Sequence, residues 1–393
     1  MTIRKVNAAA ATHNAEPNSC GFFKLHWLCW KILGITLDID KLNIHRNTYL
    51  LYSIVLNIVV TICYPLHLAL QLFRSELMAD NIKNFAICVT CVACSIKFSI
   101  YSTKLPVIRQ FEQILKRLDE RIKTDVEMNY FRQLRNRLRN VGLVFLSVYL
   151  PVGITAELSV MFREGRSLLY PAWFPFNWKE STVLFYVANI YQVVGIFILL
   201  LENYLDDTFP PMALCMLSGH IEILSIRVSN IGYDKKSLKE NEEELDRCVE
   251  DQQTLYELYT TIENIISWPM FIQFCVTATN ICVAMAALLF YVSTPLDILY
   301  YFVYFLAMPL QIFPTCYYGS DFQYLFDQLH RAIFASNWTD QTKKYKKHML
   351  LFTERSLKQN AAMAGGMVRI HLDTFFSTCR GAYSLFAIIM RMK

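Results

Sequence analysis

Charge is scarce in this chain. Only 18% of its 393 residues are Asp, Glu, Lys or Arg, whereas 54% are apolar; an ordinary soluble domain carries roughly 25% charged residues. That shortage excludes a free-standing soluble fold for most of the length and points to a membrane protein. Gly- and Pro-rich hinges are missing between the apolar runs, so no linker sets off a separate soluble domain. Catalytic signatures are missing as well: there is no Walker loop, HExxH, dinucleotide glycine pattern or serine elbow. The chain therefore reads as a non-enzyme with no cofactor and no nucleic-acid partner. No repeat suggests a transporter.

Twelve cysteines are present. Cys88, Cys91 and Cys94 in "CVTCVACS" lack a His or Cys cluster, and thiols spaced by three on an apolar helix line one packed face, so no metal site is expected. No secretory signal heads the sequence; "MTIRKVNAAAATHNAEPNS" is polar and reads as disordered. The next stretch, "CGFFKLHWLCWKILGI", mixes Phe, Trp and Leu with Lys24, His26 and Lys31. It suits a short helix at the membrane interface or an amphipathic helix packed within the protein.

A bilayer core needs about 20 predominantly apolar residues in helix. Six runs meet that need: Tyr49 to Phe73, Ile82 to Ser102, Leu138 to Phe162, Thr182 to Tyr204, Ile266 to Val292 and Asp297 to Tyr317. A seventh, Gly366 to Met390, rises about 37 Å at 1.5 Å per residue. The expected fold is an all-α membrane protein with seven transmembrane helices. Lysine and arginine are retained on the cytoplasmic side, and 28 of them fall on the side of the amino terminus against seven on the other. The amino terminus is thus expected in the cytoplasm and the carboxyl terminus outside, which also puts the sequon Asn337-Trp338-Thr339 in the cytosol.

Helical periodicity continues beyond the spans. "RQFEQILKRLDERI" and "KENEEELDRCVEDQQTLYELYTTIENIIS" place apolar residues on one face and charges on the others, predicting a cytoplasmic helical bundle. The expected organisation is a cytoplasmic segment 1–47, spans one to six with their extensions over 48–330, a bundle helix within 331–365, and a seventh helix over 366–393, which the resemblance given below makes the pore-side one. Thr339 and Asp340 are candidate caps for a helix from about Thr339 to Ala362. Gly365-Gly366 weakens helix after it, predicting a seventh helix split into inner and outer parts.

Ionisable residues within spans are functional candidates, because a charge at the bilayer centre costs about 2.5 to 3.5 kcal/mol. Lys97 lies near the cytoplasmic end of span two, where it can snorkel. Glu157 in span three faces either a polar cavity or a partner. Phe85, Tyr149, Tyr186, Tyr300, Tyr301 and Tyr304 crowd the outer halves of spans two, three, four and six. Such residues serve as interfacial anchors or packing groups; as a cluster they also fit an apolar, aromatic ligand pocket that Asn189 and Gln192 would orient.

Projected at 100° per residue, span seven gathers Arg369, Asp373, Ser377, Arg380, Ser384 and Arg391 on one stripe, leaving His371 about 160° away. At a spacing of two, His371 and Asp373 are expected on different faces. The stripe reads either as a polar seam buried against neighbouring helices or as the wall of a water-filled path between subunits.

"AIFASNW", "LLFTERSLKQNAAMAGGMVRI" and "LDTFFSTCRGAYSLF" resemble the most shared stretch of the insect odorant receptors, and the length and seven-span layout match over the whole chain. The resemblance implies a receptor subunit for volatile small molecules. With a shared odorant co-receptor it would form a heteromeric, tetrameric, odorant-gated non-selective cation channel in the plasma membrane of olfactory sensory neuron dendrites. It further implies an odorant pocket between spans two, three, four and six, with Phe85, Tyr149, Glu157, Tyr186, Asn189, Tyr301 and Tyr304 as its candidates. It places the pore along the seventh helix (Asp373, Ser377, Arg380, Ser384), with the outer gate at Ile388, Arg391 and Met392. Arg380 and Arg391 depart from an uncharged pore lining. A gustatory-type relative shares this inverted layout. A G-protein-coupled receptor has the opposite orientation, and the chain has neither a DRY after span three nor an NPxxY in span seven.

Overall fold

The computed structural model describes residues 16–36, 46–74, 78–161, 168–234, 236–291, 294–358 and 361–391. Most of the opening stretch read as disordered lies outside these residues. A short helix α1 (Lys24–Ile32) precedes the first long one, in which α2 (Arg46–Leu56) and α3 (Cys63–Leu72) are joined through a wider π-type turn at Asn57–Ile62. Then come α4 (Met78–Thr103), α5 (Leu105–Asp119), α6 (Asp125–Met161), α7 (Thr182–Ser229), α8 (Leu238–Phe290), α9 (Pro295–Phe334), α10 (Lys343–Ser356) and α11 (Leu372–Arg391). Serine and threonine set the starts of the longest helices. Ser181 and Thr294 cap α7 and α9, and Ser237 with Glu240 forms a reciprocal capping box on α8.

Among the described residues, six helices are long and apolar enough to cross a membrane: the α2–α3 unit, α4, α6, α7, α8 and α9. The final helix α11 is not one of them. Its 20 residues rise about 30 Å, enough to span, but the polar stripe dilutes its apolar character. It also starts later than expected, at Leu372 rather than Gly366.

The chain between α10 and α11 forms a two-stranded antiparallel hairpin, β1 (Met363–Ala364) with β2 (Val368–Arg369), in register Met363 to Arg369. Gly365 and Gly366 turn it with φ of 59° and 69°, a region where an L side chain is strained. The expected split is therefore a hairpin rather than a weakened turn of helix. Arg369 belongs to the strand, so its place on the helical projection does not hold.

Helix α10 also differs from expectation. Thr342, not Thr339 or Asp340, is its cap, accepting from Tyr345 N–H at 3.0 Å. The backbone N–H of Asn337 is committed to Ile231 O of the α7–α8 turn at 3.0 Å, which keeps the preceding residues out of the helix.

With 48 and 53 residues, α7 and α8 extend about 72 and 80 Å, more than twice a hydrocarbon core of about 30 Å. The surplus is the helical continuation expected from periodicity, and with α5, α10 and the end of α9 it forms a bundle at the Lys- and Arg-rich end. Phe209, Ala213, Leu214, Met216, Leu217 and Ile221 are fully buried, so α7 is the bundle's axis. A helix enclosed on all sides is apolar on all sides.

Ion pairs tie the bundle's connections together. Arg227 on α7 donates to Glu127 at 2.7 Å and Asp251 at 2.6 Å, and Arg121 donates to Asp251 and Glu244, each at 3.0 Å. Burial works to lower the Arg121 pKa, but the facing carboxylates of Asp251 and Glu244 outweigh it and raise it. Helix α1 packs here too, burying His26 and Trp30, with Phe23 buried just ahead of it. Ser19, just before it, donates through N–H and hydroxyl to Asp119 at 2.7 and 2.6 Å. Burial pushes the Asp119 carboxyl up, and the Ser19 bonds offset part of that.

Candidate functional site

A cavity lies between α4, α6, α7 and α9 at the end opposite the bundle, walled mainly by apolar and aromatic side chains with a few polar groups, as small-molecule sites are. Helical spacing builds it. On α9, Tyr300, Tyr304, Met308 and Gln311 recur at four, four and three residues and so share one face; Ile87, Thr90, Cys91 and Cys94 do the same on α4. Helix α6 contributes Tyr149, Val152, Gly153 and Ala156, α7 contributes Ile196, Leu199, Leu200 and Asn203, and Tyr170 comes from the α6–α7 connection. Gln192 does not line the cavity. It holds the Tyr170 backbone in place, accepting from its N–H at 3.3 Å and donating to its carbonyl at 3.0 Å.

Most polar groups on the wall are already satisfied. Thr90 Oγ1 lies 3.2 Å from the Tyr304 hydroxyl and accepts from Asn280 at 2.9 Å. Tyr300 stacks on Tyr304 with ring centroids 5.9 Å apart. Its own hydroxyl makes no hydrogen bond among the described residues, although the side chain lines the cavity. The site thus offers a largely apolar wall and one uncommitted phenol, a donor for an acceptor oxygen on a small ligand.

Beneath the cavity five helices meet in a closed hydrogen-bonded ring. Lys97 Nζ on α4 donates to Asp207 Oδ1 (2.5 Å) and Asn203 Oδ1 (2.7 Å) on α7 and to Gln273 Oε1 (2.7 Å) on α8. Gln273 donates to Gln311 on α9 at 3.1 Å, Gln311 to the Tyr149 hydroxyl on α6 at 3.2 Å, and Tyr149 to Asp207 Oδ2 at 2.5 Å. Tyr149, Asn203 and Gln311 belong both to the ring and to the cavity wall. Lys97 therefore does not snorkel: it and Asp207 are 1% and 2% exposed, because an acid on α7 faces it across the helix contact.

Of the sequence candidates, Tyr149 and Tyr304 line the cavity. Phe85 does not: it is 40% exposed on the exterior, about 200° around α4 from Ile87. Tyr186 is 60% exposed and stands about 15 Å along α7 from Ile196. Asn189 donates to Phe185 O one turn back at 3.0 Å. Tyr301 is buried, but against Tyr300, Ala156 and Ala287 rather than on the cavity wall. The side chain of Glu157 lies outside the described residues. Asn203, Gln311, Met308 and Tyr170 were missed. The first three had a signal in the sequence, since Met308 and Gln311 continue the Tyr300–Tyr304 face and Asn203 is a polar residue inside an apolar run.

At the other end of α9 and α8, the hairpin is clamped before α11. Ser267 Oγ donates to Met363 O at 2.7 Å, Gly365 N–H to Ser267 O at 3.0 Å, and Met363 N–H to Glu263 at 2.8 Å, while Leu372 N–H donates to Ser320 Oγ at 3.0 Å. Gly319 admits the Ile370 carbonyl, which a Cβ would meet at 2.1 Å. Helix α11 then buries Ala382 and Phe386, and leaves Asp373, Ser377, Arg380, Ser384, Ile388 and Arg391 exposed. A polar seam buried within the chain is thus not formed. His371 precedes the helix, so the 100° rule does not separate it from Asp373: its Nδ1 accepts from Asp373 N–H at 3.2 Å and lies 3.1 Å from Asp373 Oδ2. Met392 lies outside the described residues.

Comparison with known proteins agrees with this architecture. The family model described as 7tm Odorant receptor matches residues 77–383. Odorant receptor 59a of Drosophila melanogaster is 45% identical over 394 residues, covering 96% of this chain and 98% of that one. Odorant receptor 23a of the same species is 33% identical, covering 95% and 97%. The solved structure of the insect olfactory receptor OR5 from Machilis hrabei in complex with eugenol superposes with a TM-score of 0.83 at 13% identity, covering 95% of this chain and 98% of that one. By the extent of these matches, the chain is a multi-pass membrane protein and no enzyme, and it belongs to the seven-transmembrane odorant receptor family.

Proposed function

We propose that this chain is the ligand-binding subunit of an odorant-gated, non-selective cation channel, assembled as a heteromeric tetramer with the shared odorant co-receptor. It would work in the plasma membrane of olfactory sensory neuron dendrites, amino terminus in the cytoplasm and carboxyl terminus outside, as the lysine and arginine asymmetry supports. The observation that carries the reading is the cavity sharing Tyr149, Asn203 and Gln311 with a ring that joins five helices. The neighbouring receptor was solved with eugenol. An oxygen-bearing volatile of that size suits an apolar wall with a free phenol at Tyr300.

A ligand shifts a closed-to-open equilibrium only through its differential affinity for the two states. Here the differential contact is with Tyr149 and Gln311, whose ring reaches α8 and α9, the two helices that clamp the hairpin ahead of α11. The exposed stripe from Asp373 to Arg391 then faces water or neighbouring subunits, with Ile388, Arg391 and Met392 at its outer end.

The test is current evoked by small ketones, esters and phenol ethers in cells expressing the chain with the co-receptor, while G-protein signalling is blocked. A fast current that requires both chains is expected. Loss of response under the block, with second-messenger signals restored when it is lifted, overturns the channel in favour of a G-protein-coupled receptor.

A further inference from the structure

The ring beneath the cavity has a fixed hydrogen-bond polarity, and Lys97 sets it. An ammonium has three protons and no acceptor, and here all three are used, on Asp207, Asn203 and Gln273. The atoms facing it on Asn203 and Gln273 must therefore be the amide oxygens. Gln273 is left with its Nε2 to donate to Gln311, which donates to the Tyr149 hydroxyl, whose proton goes to Asp207. At Asn203 the same rule turns the amide nitrogen away from Lys97. That Nδ2 donates to no group among the described residues and is not sealed in the interior, and its side chain lines the cavity.

This donor stands at the inner end of the cavity. The Tyr149 hydroxyl, which accepts from Gln311, lies 3.4 Å from Asn203 O, so Asn203 and Gln311 share a level. Tyr300, whose phenol is the other uncommitted donor, lies further out on α9, about 16 Å along the helix from Gln311 at 1.5 Å per residue. Between the two ends the wall is apolar or already bonded, as at Leu199, Met308 and the Thr90–Tyr304 pair. Two hydrogen bonds of about 3 Å each take up part of that length. What remains suits two acceptor oxygens joined by a short apolar chain.

We infer that Asn203 is a specificity-determining residue: it binds an acceptor oxygen at the inner end of the ligand while Tyr300 holds one at the outer end. The receptor then prefers small molecules with acceptor oxygens at both ends, such as diketones, keto esters and diesters. A ligand end that offers only C–H leaves the Asn203 amide desolvated and unpaired, which costs binding. An oxygen placed there joins the ring directly, because the other side of the same amide is bonded to Lys97. The inference rests on the reading of the cavity as the odorant site.

The test sets straight-chain diketones of seven to ten carbons, with a carbonyl next to each terminal methyl, against methyl ketones of the same lengths. Binding is read as thermal stabilisation of the purified full-length receptor, and response as current in cells that also express the co-receptor. In the wild type one diketone of the series should act at a concentration roughly 2- to 13-fold below that of its methyl ketone, the effect of one further neutral hydrogen bond. Asn203→Asp keeps an oxygen towards Lys97 and puts an acceptor in place of the N–H. That advantage should vanish, and the hydroxyketone of the same length, which can donate to the new carboxylate, should overtake the diketone. A merely structural role for Asn203 would shift all three ligands together. No diketone advantage at any length, or an advantage that survives Asn203→Asp, overturns the inference. Should the variant not fold, the wild-type series decides: an optimum at one length supports the two-ended site, and a flat series refutes it. Gly153→Trp tests the underlying reading separately, because a Cβ there meets only Leu200, at 3.8 Å, and the indole enters the cavity. Unchanged binding in that variant overturns the cavity as the odorant site and the inference with it; binding lost there, with no effect of Asn203→Asp on rank order, overturns the role of Asn203 alone.

Discussion

Truncating Lys97 to alanine tests the ring directly. Its ammonium makes three hydrogen bonds of 2.5 to 2.7 Å, and both it and Asp207 are almost fully buried. Removing it leaves the Asp207 carboxylate with Tyr149 as its remaining donor in the ring. Breaking a buried pair by deleting one partner costs about 3–5 kcal/mol, because the surviving charge is uncompensated. At about 1.4 kcal/mol per decade that is roughly two to three and a half orders of magnitude in the folded-to-unfolded ratio, a large share of a total of about 5–15 kcal/mol.

The companion variant Lys97→Met/Asp207→Asn removes both charges at similar volume and should regain most of the loss, since replacing a buried ion pair by neutral groups is often close to neutral. Thermal unfolding of purified receptor in detergent, read beside surface abundance in cells, measures both. A Lys97→Ala receptor that melts with the wild type, or a double variant no better than the single, refutes the argument. If the ring also transmits occupancy, the double variant should bind ligand and yet give less current per receptor at the surface.

Three further outcomes are expected. Tyr300→Phe removes only the uncommitted hydroxyl; a neutral hydrogen bond contributes about 0.5–1.5 kcal/mol, so ketone and ester dose-response curves should shift roughly 2- to 13-fold while hydrocarbon responses stay put, and a uniform shift would remove the phenol from recognition. Burial lowers the His26 pKa from 6.5 to about 4, so the unfolded chain takes up the proton first as pH falls; on the order of 3 kcal/mol of stability, complete above pH 6.5, should be lost progressively down to pH 4, and a His26→Gln receptor with the same acid limb in its melting curve would disprove this. In Gly319→Ala the new Cβ would lie 2.1 Å from the Ile370 carbonyl, so the start of α11 must move, and basal or evoked current should change at normal surface abundance; unaltered gating would detach the clamp from the mechanism.

Spans and their extensions were legible because length and apolar period are properties of single segments. The ends were not. Thr339 and Asp340 are cap-forming residue types, yet the cap is Thr342, whose hydroxyl accepts from Tyr345 N–H and donates to Glu242 on α8, a contact that no local pattern reveals. A hairpin of two residues per strand has no alternation to detect, so Arg369 and His371 read as helical although the helix begins at Leu372. Side-chain roles failed wherever they depended on another helix's rotation. Taken alone, Lys97 is a snorkelling residue, because nothing local reveals Asp207, 110 residues away. Depth and residue type alone point Phe85 and Tyr186 to a pocket, whereas Tyr300, Tyr304, Met308 and Gln311 form one face by helical spacing.

The exposed stripe of α11 sets a condition on how this receptor sits in a bilayer. Asp373 is 91% exposed, and Arg380 and Arg391 lie on the same side. Left against hydrocarbon, Arg380 near the middle of the helix costs about 2.5–3.5 kcal/mol even on the insertion scale, a sizeable part of a total stability of about 5–15 kcal/mol, while Asp373 and Arg391 at its two ends can reach the headgroup layer. Within the chain, the opposite face already packs on α8 and α9 through Ala382 and Phe386, so rotating the helix would only exchange an exposed polar face for an exposed apolar one. The stripe must therefore be covered by water or by other subunits, and an isolated chain should be less stable in membranes than the assembled one. Co-expression with the co-receptor should accordingly raise the thermal stability of this chain, and Arg380→Leu should raise that of the chain expressed alone. If Arg380→Leu leaves the solitary chain unchanged while co-expression still stabilises it, the gain comes from the bundle and not from covering α11.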